Sequence, residues 1–188
     1  MSKVPAALKK APFTYRQAKA HGLNQLSIRE LVSSGTLELV ARGVYRTTKS
    51  DYNEEDQYRV ATLLVGDPSA ICLISALSYY GISDVIPRKT WIMVPHTKRS
   101  QYKELKLQRT RAPTWDVGID AHNGYNITNI ERTIVEAICN RTTIGTQIAI
   151  EALRRSVQSK KTTLSKIMSM AKQLEVLHRV LPYIEALS

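Results

Sequence analysis

Long apolar runs are missing from this 188-residue chain. Its longest stretch, Ala70 to Leu77, falls far short of the ~18 residues that a membrane span needs, so no membrane partner is expected. The start of the chain carries Lys3, Lys9 and Lys10 but lacks the apolar stretch and small-residue cleavage chemistry of a secretory signal, so a cytoplasmic location is expected. Cysteine is scarce. Cys72 and Cys139 both fall within apolar helical patterns, where buried free thiols are expected rather than a bridge. Phe and Trp are also few, one and two, beside nine Tyr. Trp91, Trp115 and the pair Tyr79-Tyr80 are expected in a core or an interface rather than as base-stacking platforms.

Catalytic signatures are missing as well. The four histidines, His21, His96, His122 and His178, are scattered, and HExxH is absent, so no zinc site is indicated. No GxxxxGK[ST], GxGxxG or GxSxG occurs, which removes support for a phosphate cradle or a hydrolase elbow. No cofactor is implied, and the protein is expected not to be an enzyme. The acidic run Asp51, Glu54, Glu55, Asp56 could hold a divalent ion, but at a helix start it more simply complements the helix dipole. Asp116 and Asp120 resemble a nuclease carboxylate pair only loosely. They keep open one alternative, a metal-dependent nuclease of a mobile element delivered to nucleic acid by a DNA-binding module.

What the chain has in excess is positive charge, 27 Lys and Arg against 16 Asp and Glu, a net of +11. Such an imbalance favours an anionic partner, most often nucleic acid. The charge is unevenly spread. Residues 1–50 hold nine basic and two acidic side chains, a net of +7. Residues 51–87 hold one basic and six acidic, a net of −5, and residues 88–111 hold eight basic and one acidic, again +7. The rest of the chain is close to balanced, at +2.

Polar residues Thr47 to Asn53 follow neither hydrophobic period and place a domain boundary near residue 50, dividing the chain into 1–50 and 51–188. In the first part, Thr14 is placed to cap a helix over Tyr15 to Ala20, which His21-Gly22 ends. Leu23 is expected to turn inward. Asn24 caps a second helix, Gln25 to Ser33, with a Ser27/Glu30 capping box as the alternative start. Its apolar stripe is Ile28, Leu31 and Val32, and Gly35 stops it. Leu37, Leu39 and Val44 then run at period two around an Arg42-Gly43 turn, which makes a hairpin. Helix, turn, helix and hairpin spell a winged helix-turn-helix, whose second helix enters the DNA major groove. The stripe leaves Gln25, Leu26, Arg29 and Ser33 outward, residue types suited to base edges and to a thymine methyl. Arg16, Lys19, Arg42 and Arg46 are placed to neutralise phosphates. Tyr15 and Ser27 complete the candidate DNA-binding set. The fold class is therefore α+β, the winged module followed by a larger α/β domain.

In that larger domain, helices are expected over Glu54 to Val65 and, capped by Ser69, over Ala70 to Tyr80. Strands are expected at Thr90 to Val94, Leu105 to Arg109, Val117 to Ile119 and Asn126 to Thr128, the last two flanking an Asn123-Gly124 turn. Four C-terminal helices follow, over Ile130 to Cys139, Gly145 to Val157, Leu164 to Ala171 and Leu174 to Leu187. The basic block supplies a candidate surface of Arg88, Lys89, Lys98, Arg99, Lys103, Lys106 and Arg109, suited to nucleic acid or to an acidic partner, or simply solvated.

In order along the chain, Phe13 to Ala18, Gly22-Leu23, Leu31 to Leu37 and Arg42 to Arg46 resemble the N-terminal domain of AbiEi-type antitoxins. Ser75 to Gly81, the strand Trp91 to Pro95, Ile130 to Ala137 and Ala149 to Arg154 resemble segments of that family's second domain. The resemblance implies an antitoxin of a type IV toxin-antitoxin (abortive infection, phage defence) system. Such a protein is a transcriptional autorepressor whose winged helix binds inverted repeats in its own promoter. Its larger domain counteracts a nucleotidyltransferase-like toxin, in many cases without a stable complex, and the basic block 88–111 is the surface assigned to that role. No heptad or other dimer signature is present, so a monomer or weak dimer acting cooperatively on DNA is expected.

Overall fold

A computed structural model describes residues 3–49, 53–99, 101–111 and 113–187. The chain forms two compact units, Met1–Asp67 and Pro68–Ser188. The expected boundary at residue 50 falls on 50–52, outside the described residues, as does Asp51 of the acidic run. The division lies further on because the helix after residue 53 belongs to the first unit.

The first unit contains β1 (Phe13–Thr14), α1 (Tyr15–Ala20), α2 (Gln25–Ser33), β2 (Leu37–Ala41), β3 (Val44–Thr47) and α3 (Asp56–Val65). Its three strands order as β1-β3-β2, all antiparallel. Thr14 caps α1 as its sequence predicts: Gln17 N–H donates to Thr14 Oγ1 at 3.3 Å, and Thr14 N–H donates to Gln17 Oε1 at 2.7 Å, a reciprocal capping box. Asn24 caps α2, its Oδ1 accepting from Ser27 N–H at 2.8 Å, so the alternative Ser27/Glu30 box does not form. Gly22 and Gly35 close the two helices at φ 84° and 68°. Phe13, Ala18, Leu23, Ile28, Leu31 and Leu37 are buried together, with Val4 and Leu8 of a 3-10 turn (Ala6–Leu8) closing the core. Neither that turn nor the two-residue β1 carries a periodic signal long enough to be read from sequence.

α3 is fastened to this sheet by charge as well as by its buried Tyr58, Ala61 and Val65. Asp56, 5% exposed, accepts from Arg59 at 2.9 Å and lies 3.7 Å from Arg46 on β3. Glu55 accepts from Arg59 at 2.6 Å. Asp56 thus occupies the first turn, where the helix dipole favours a carboxylate, and also holds the helix to the hairpin.

The second unit opens differently from the sequence expectation. Ala70–Ile71 is not helical but forms β4, the middle strand of a five-stranded sheet ordered β6-β5-β4-β8-β7, with β5 at Thr90–Pro95, β6 at Leu105–Thr110, β7 at Ile119–His122 and β8 at Tyr125–Thr128. Ile71 pairs with Ile92 on one side and Ile127 on the other. A two-residue strand buried on both faces reads like helix interior, because neither residue exposes a polar alternate. α4 (Leu73–Tyr79) begins only after Cys72, with Leu73 at φ 45°. Ser69 makes no cap; its Oγ is enclosed. β7 and β8 form the hairpin around Asn123-Gly124 as expected.

Five helices complete the unit: α5 (Ile130–Cys139), α6 (Arg141–Ile144), α7 (Thr146–Gln158), α8 (Leu164–Gln173) and α9 (Leu177–Glu185). They bury Ile134, Ile138, Leu153, Ile167 and Val180 against Leu73, Leu77 and Met93. Cys72 is fully buried and Cys139 half-buried, both free. Burial pushes the Cys72 thiol well above its ordinary range.

Arg132 on α5 is 2% exposed, although sequence pattern treats it only as part of a helix. It donates to Glu136 Oε1 at 2.8 Å, to the Trp115 carbonyl at 2.7 Å, to the Thr114 carbonyl at 3.2 Å and to the Val117 carbonyl. The turn 113–118 is thereby strapped to α5. Gly118, at φ 67°, lies so close that a Cβ there would stand 2.9 Å from Met170 and 3.1 Å from Arg132. Burial raises the Glu136 carboxyl, and Arg132 acts in the opposite sense. Its Oε2 is enclosed without a hydrogen bond from a described residue. Arg132→Ala should cost about 3–5 kcal/mol, because a buried charge loses its partner and three carbonyls lose a donor. A carboxyl whose folded pKa is raised favours the native state in its protonated form, and that contribution fades as pH rises through the folded value. Without Arg132 the Glu136 value rises further, so thermal melts should show the variant's deficit larger at pH 8 than at pH 5.

Candidate nucleic-acid interface

Ile28 and Leu31 are 3% and 4% exposed, and Val32 packs beside them. At about 100° per residue, that burial leaves a contiguous outward arc of about 140°. Gln25, Arg29, Ser33 and Leu26 fall on it in that angular order, all exposed, with Glu30 at its far edge. Leu26 is 65% exposed. Ser27 lies in the first turn of α2. It is half-buried, and both its N–H and its Oγ are engaged with Asn24 Oδ1, at 2.8 and 3.0 Å. Its role is to start the helix.

On α1, Tyr15 is 38% exposed, and Arg16 and Lys19 are exposed with it. Ala18, between them in sequence, is fully buried and anchors that helix. The wing turn places Arg42 in solvent, with Gly43 at φ 74°, a conformation that a side-chain-bearing residue would strain.

Arg46 behaves differently from the other basic residues of the set. Its Nε donates to Glu38 Oε1 at 2.8 Å, its Nη2 reaches the same oxygen, and its Nη1 faces Asp56. With 19% side-chain exposure it braces the hairpin against α3. The cause is a register shift between Leu39 and Ala41, which sets Glu38 opposite Arg46. Leu39 is 57% exposed, against the expected inward alternation with Leu37, which is buried. An apolar wing residue in solvent is a feature that sequence reasoning missed, since a period gives the face a residue takes and not whether the core reaches it.

In the second unit, Arg88, Lys89, Arg99, Lys103, Lys106 and Arg109 are exposed and Lys98 is half-buried. Lys106, opposite Trp91 across β5 and β6, holds its ammonium 5.7 Å from the indole centre. Arg109 Nε donates to the Lys98 carbonyl at 2.8 Å. These two serve the sheet edge, and the others present charge to solvent. Asp116 lies in the turn 113–118 and Asp120 on β7, both exposed. Among the described residues no three His, Cys, Asp or Glu side chains gather as a metal-holding group. No helix among the described residues is long and apolar enough to cross a membrane.

Two helices joined by a tight turn, a three-stranded sheet and a two-residue wing make the first unit a winged helix-turn-helix, a class of module that reads DNA through its second helix. Residues 6–48 match the family described as transcriptional regulator, AbiEi antitoxin. This segment covers the 3-10 turn, both helices and the wing, so the N-terminal module is similar to that of the AbiEi antitoxin regulators. The crystal structure of RV2827C protein from Mycobacterium tuberculosis shares the fold, with a TM-score of 0.62 at 14% identity, over 94% of this chain and 75% of that one. No curated protein sequence matches the chain.

Two arginines separate the roles. Arg29→Ala should leave the melting temperature unchanged and weaken binding to a cognate duplex about tenfold, the loss of one base-edge contact. Arg46→Ala should do the reverse, lowering the melting temperature by several degrees through loss of a braced, part-buried pair while changing DNA affinity little. Melting curves and fluorescence anisotropy on both variants check this.

Proposed function

We propose that the protein is an antitoxin that represses its own transcription, binding inverted repeats in its promoter through the winged helix, in the cytoplasm. The observation that carries this reading is the outward arc of α2, with Gln25, Leu26 and Arg29 flanked by Arg16, Lys19 and Arg42, on a module matching the AbiEi antitoxin regulators. Gln and Arg reach adenine and guanine edges, Leu26 supplies an apolar contact for a thymine methyl, and the three flanking cations set the module on the phosphates. Two copies acting cooperatively serve the two halves of an inverted repeat. The larger unit counteracts a nucleotidyltransferase-like toxin, with Arg88, Lys89, Arg99 and Lys103 as the exposed cations of that role.

A salt-titrated gel shift tests the repressor reading. The DNA upstream of the gene should be bound about a thousandfold or more tighter than unrelated DNA at physiological salt. Replacing Arg16, Lys19 and Arg42 together by Ala should weaken binding to both DNAs alike and lower the log-log salt slope by about 3 per bound copy. Equal binding of the two DNAs by the unsubstituted protein would overturn the reading.

A further inference from the structure

Away from the wing turn, the first unit carries a groove of ≈ 720 Å³ where three chain segments meet. Lys3 and Lys9 come from the N-terminal segment, Ser34 to Thr36 from the end of α2, and Thr47 to Lys49 from the end of β3. The seam is cross-linked. Thr47 Oγ1 donates to the Lys9 carbonyl at 3.1 Å, Thr48 Oγ1 donates to the Gly35 carbonyl at 2.7 Å, and Thr48 N–H donates to the Thr36 carbonyl at 3.2 Å. These two hydroxyls are turned onto the backbone, Ser34 Oγ donates to the Leu31 carbonyl at 3.1 Å, and the cationic residues that line the groove are Lys3, Lys9 and Lys49. All three are exposed, and among the described residues no carboxylate lines the groove. Three like charges around one concave surface repel one another unless an anion sits between them.

We propose that this groove binds a polyphosphate group, of the kind a nucleoside di- or triphosphate carries. Its size falls in the ~300–1,000 Å³ range of small-molecule sites and exceeds what a single phosphate fills. Compact ammonium charges suit a chain of phosphoryl oxygens. Leu37 pairs with Thr47 at the groove end of the hairpin and Ala41 with Val44 at the wing tip. At ~3.3 Å per residue this sets the groove about 13 Å from the wing turn.

Calorimetry on the full chain with sodium tripolyphosphate at about 0.15 M salt tests this. Saturable one-to-one binding is expected, weakened about tenfold or more in Lys9→Gln/Lys49→Gln by the loss of two charge-assisted contacts, and unchanged in Arg29→Ala/Arg42→Ala. Lys49→Glu should weaken it further. Because both lysines are exposed, the melting temperature should not move. Binding that persists with a promoter duplex already bound identifies a small-molecule ligand. Displacement by the duplex, with Lys9→Gln/Lys49→Gln also lowering duplex affinity, identifies DNA phosphates as the source. No saturation at millimolar tripolyphosphate, or equal weakening in both double variants, overturns the proposal.

Discussion

Burial of Ile28 and Leu31 against Phe13, Ala18 and Leu37 fixes the rotation of α2 about its own axis. A helix of nine residues cannot turn without withdrawing one of these side chains from the core, at a cost of about 1.5–3 kcal/mol for each. Everything on the outward arc follows from that constraint. Gln25, Arg29 and Ser33 recur every fourth residue and so share one face, while Glu30 is held at the edge, where its charge would otherwise oppose a phosphate. The Asn24 cap and the Thr14 capping box fix where the two helices begin, and Leu23 pins the turn between them.

The hairpin supplies a second constraint, in which a bulge changes the role of charged residues. Setting Glu38 across from Arg46 converts a cation that sequence assigns to phosphate into a brace joining β2, β3 and α3. This leaves Arg42, at the tip, as the exposed arginine of the wing. In the second unit Arg132 does related work from inside the protein, drawing the carbonyls of the turn 113–118 onto α5. Both arginines are structural for the same reason: each finds carboxylate and carbonyl partners that only the tertiary fold brings within reach.

Sequence was most legible where structure is local. The caps at Thr14 and Asn24, the terminations at Gly22 and Gly35, the Asn123-Gly124 hairpin and most helices of the second unit depend on residues within four positions of one another, and they stand as read. It was least legible where meaning depends on distant partners. Ala70–Ile71 reads as helix because two apolar residues fit either period, and only pairing with Ile92 and Ile127 makes them the central strand. Leu39 is exposed although it keeps regular register with buried Leu37, a difference in burial that alternation cannot show. Of the candidate interface, the outward face of α2 and the cations of α1 and the wing tip were visible. The contacts of Ser27 with Asn24 and of Arg46 with Glu38 and Asp56 were not, because a capping geometry and a strand register set them.

The central claim is that α2 and the wing turn form the DNA-reading surface. Titrating isotope-labelled protein with the promoter duplex, and following backbone amide shifts, tests it most directly. The account predicts that the largest shifts fall on Gln25, Leu26, Arg29 and Arg42, with smaller ones on Tyr15, Arg16 and Lys19. Shifts concentrated instead in the second unit, with α2 unperturbed at saturation, would contradict it.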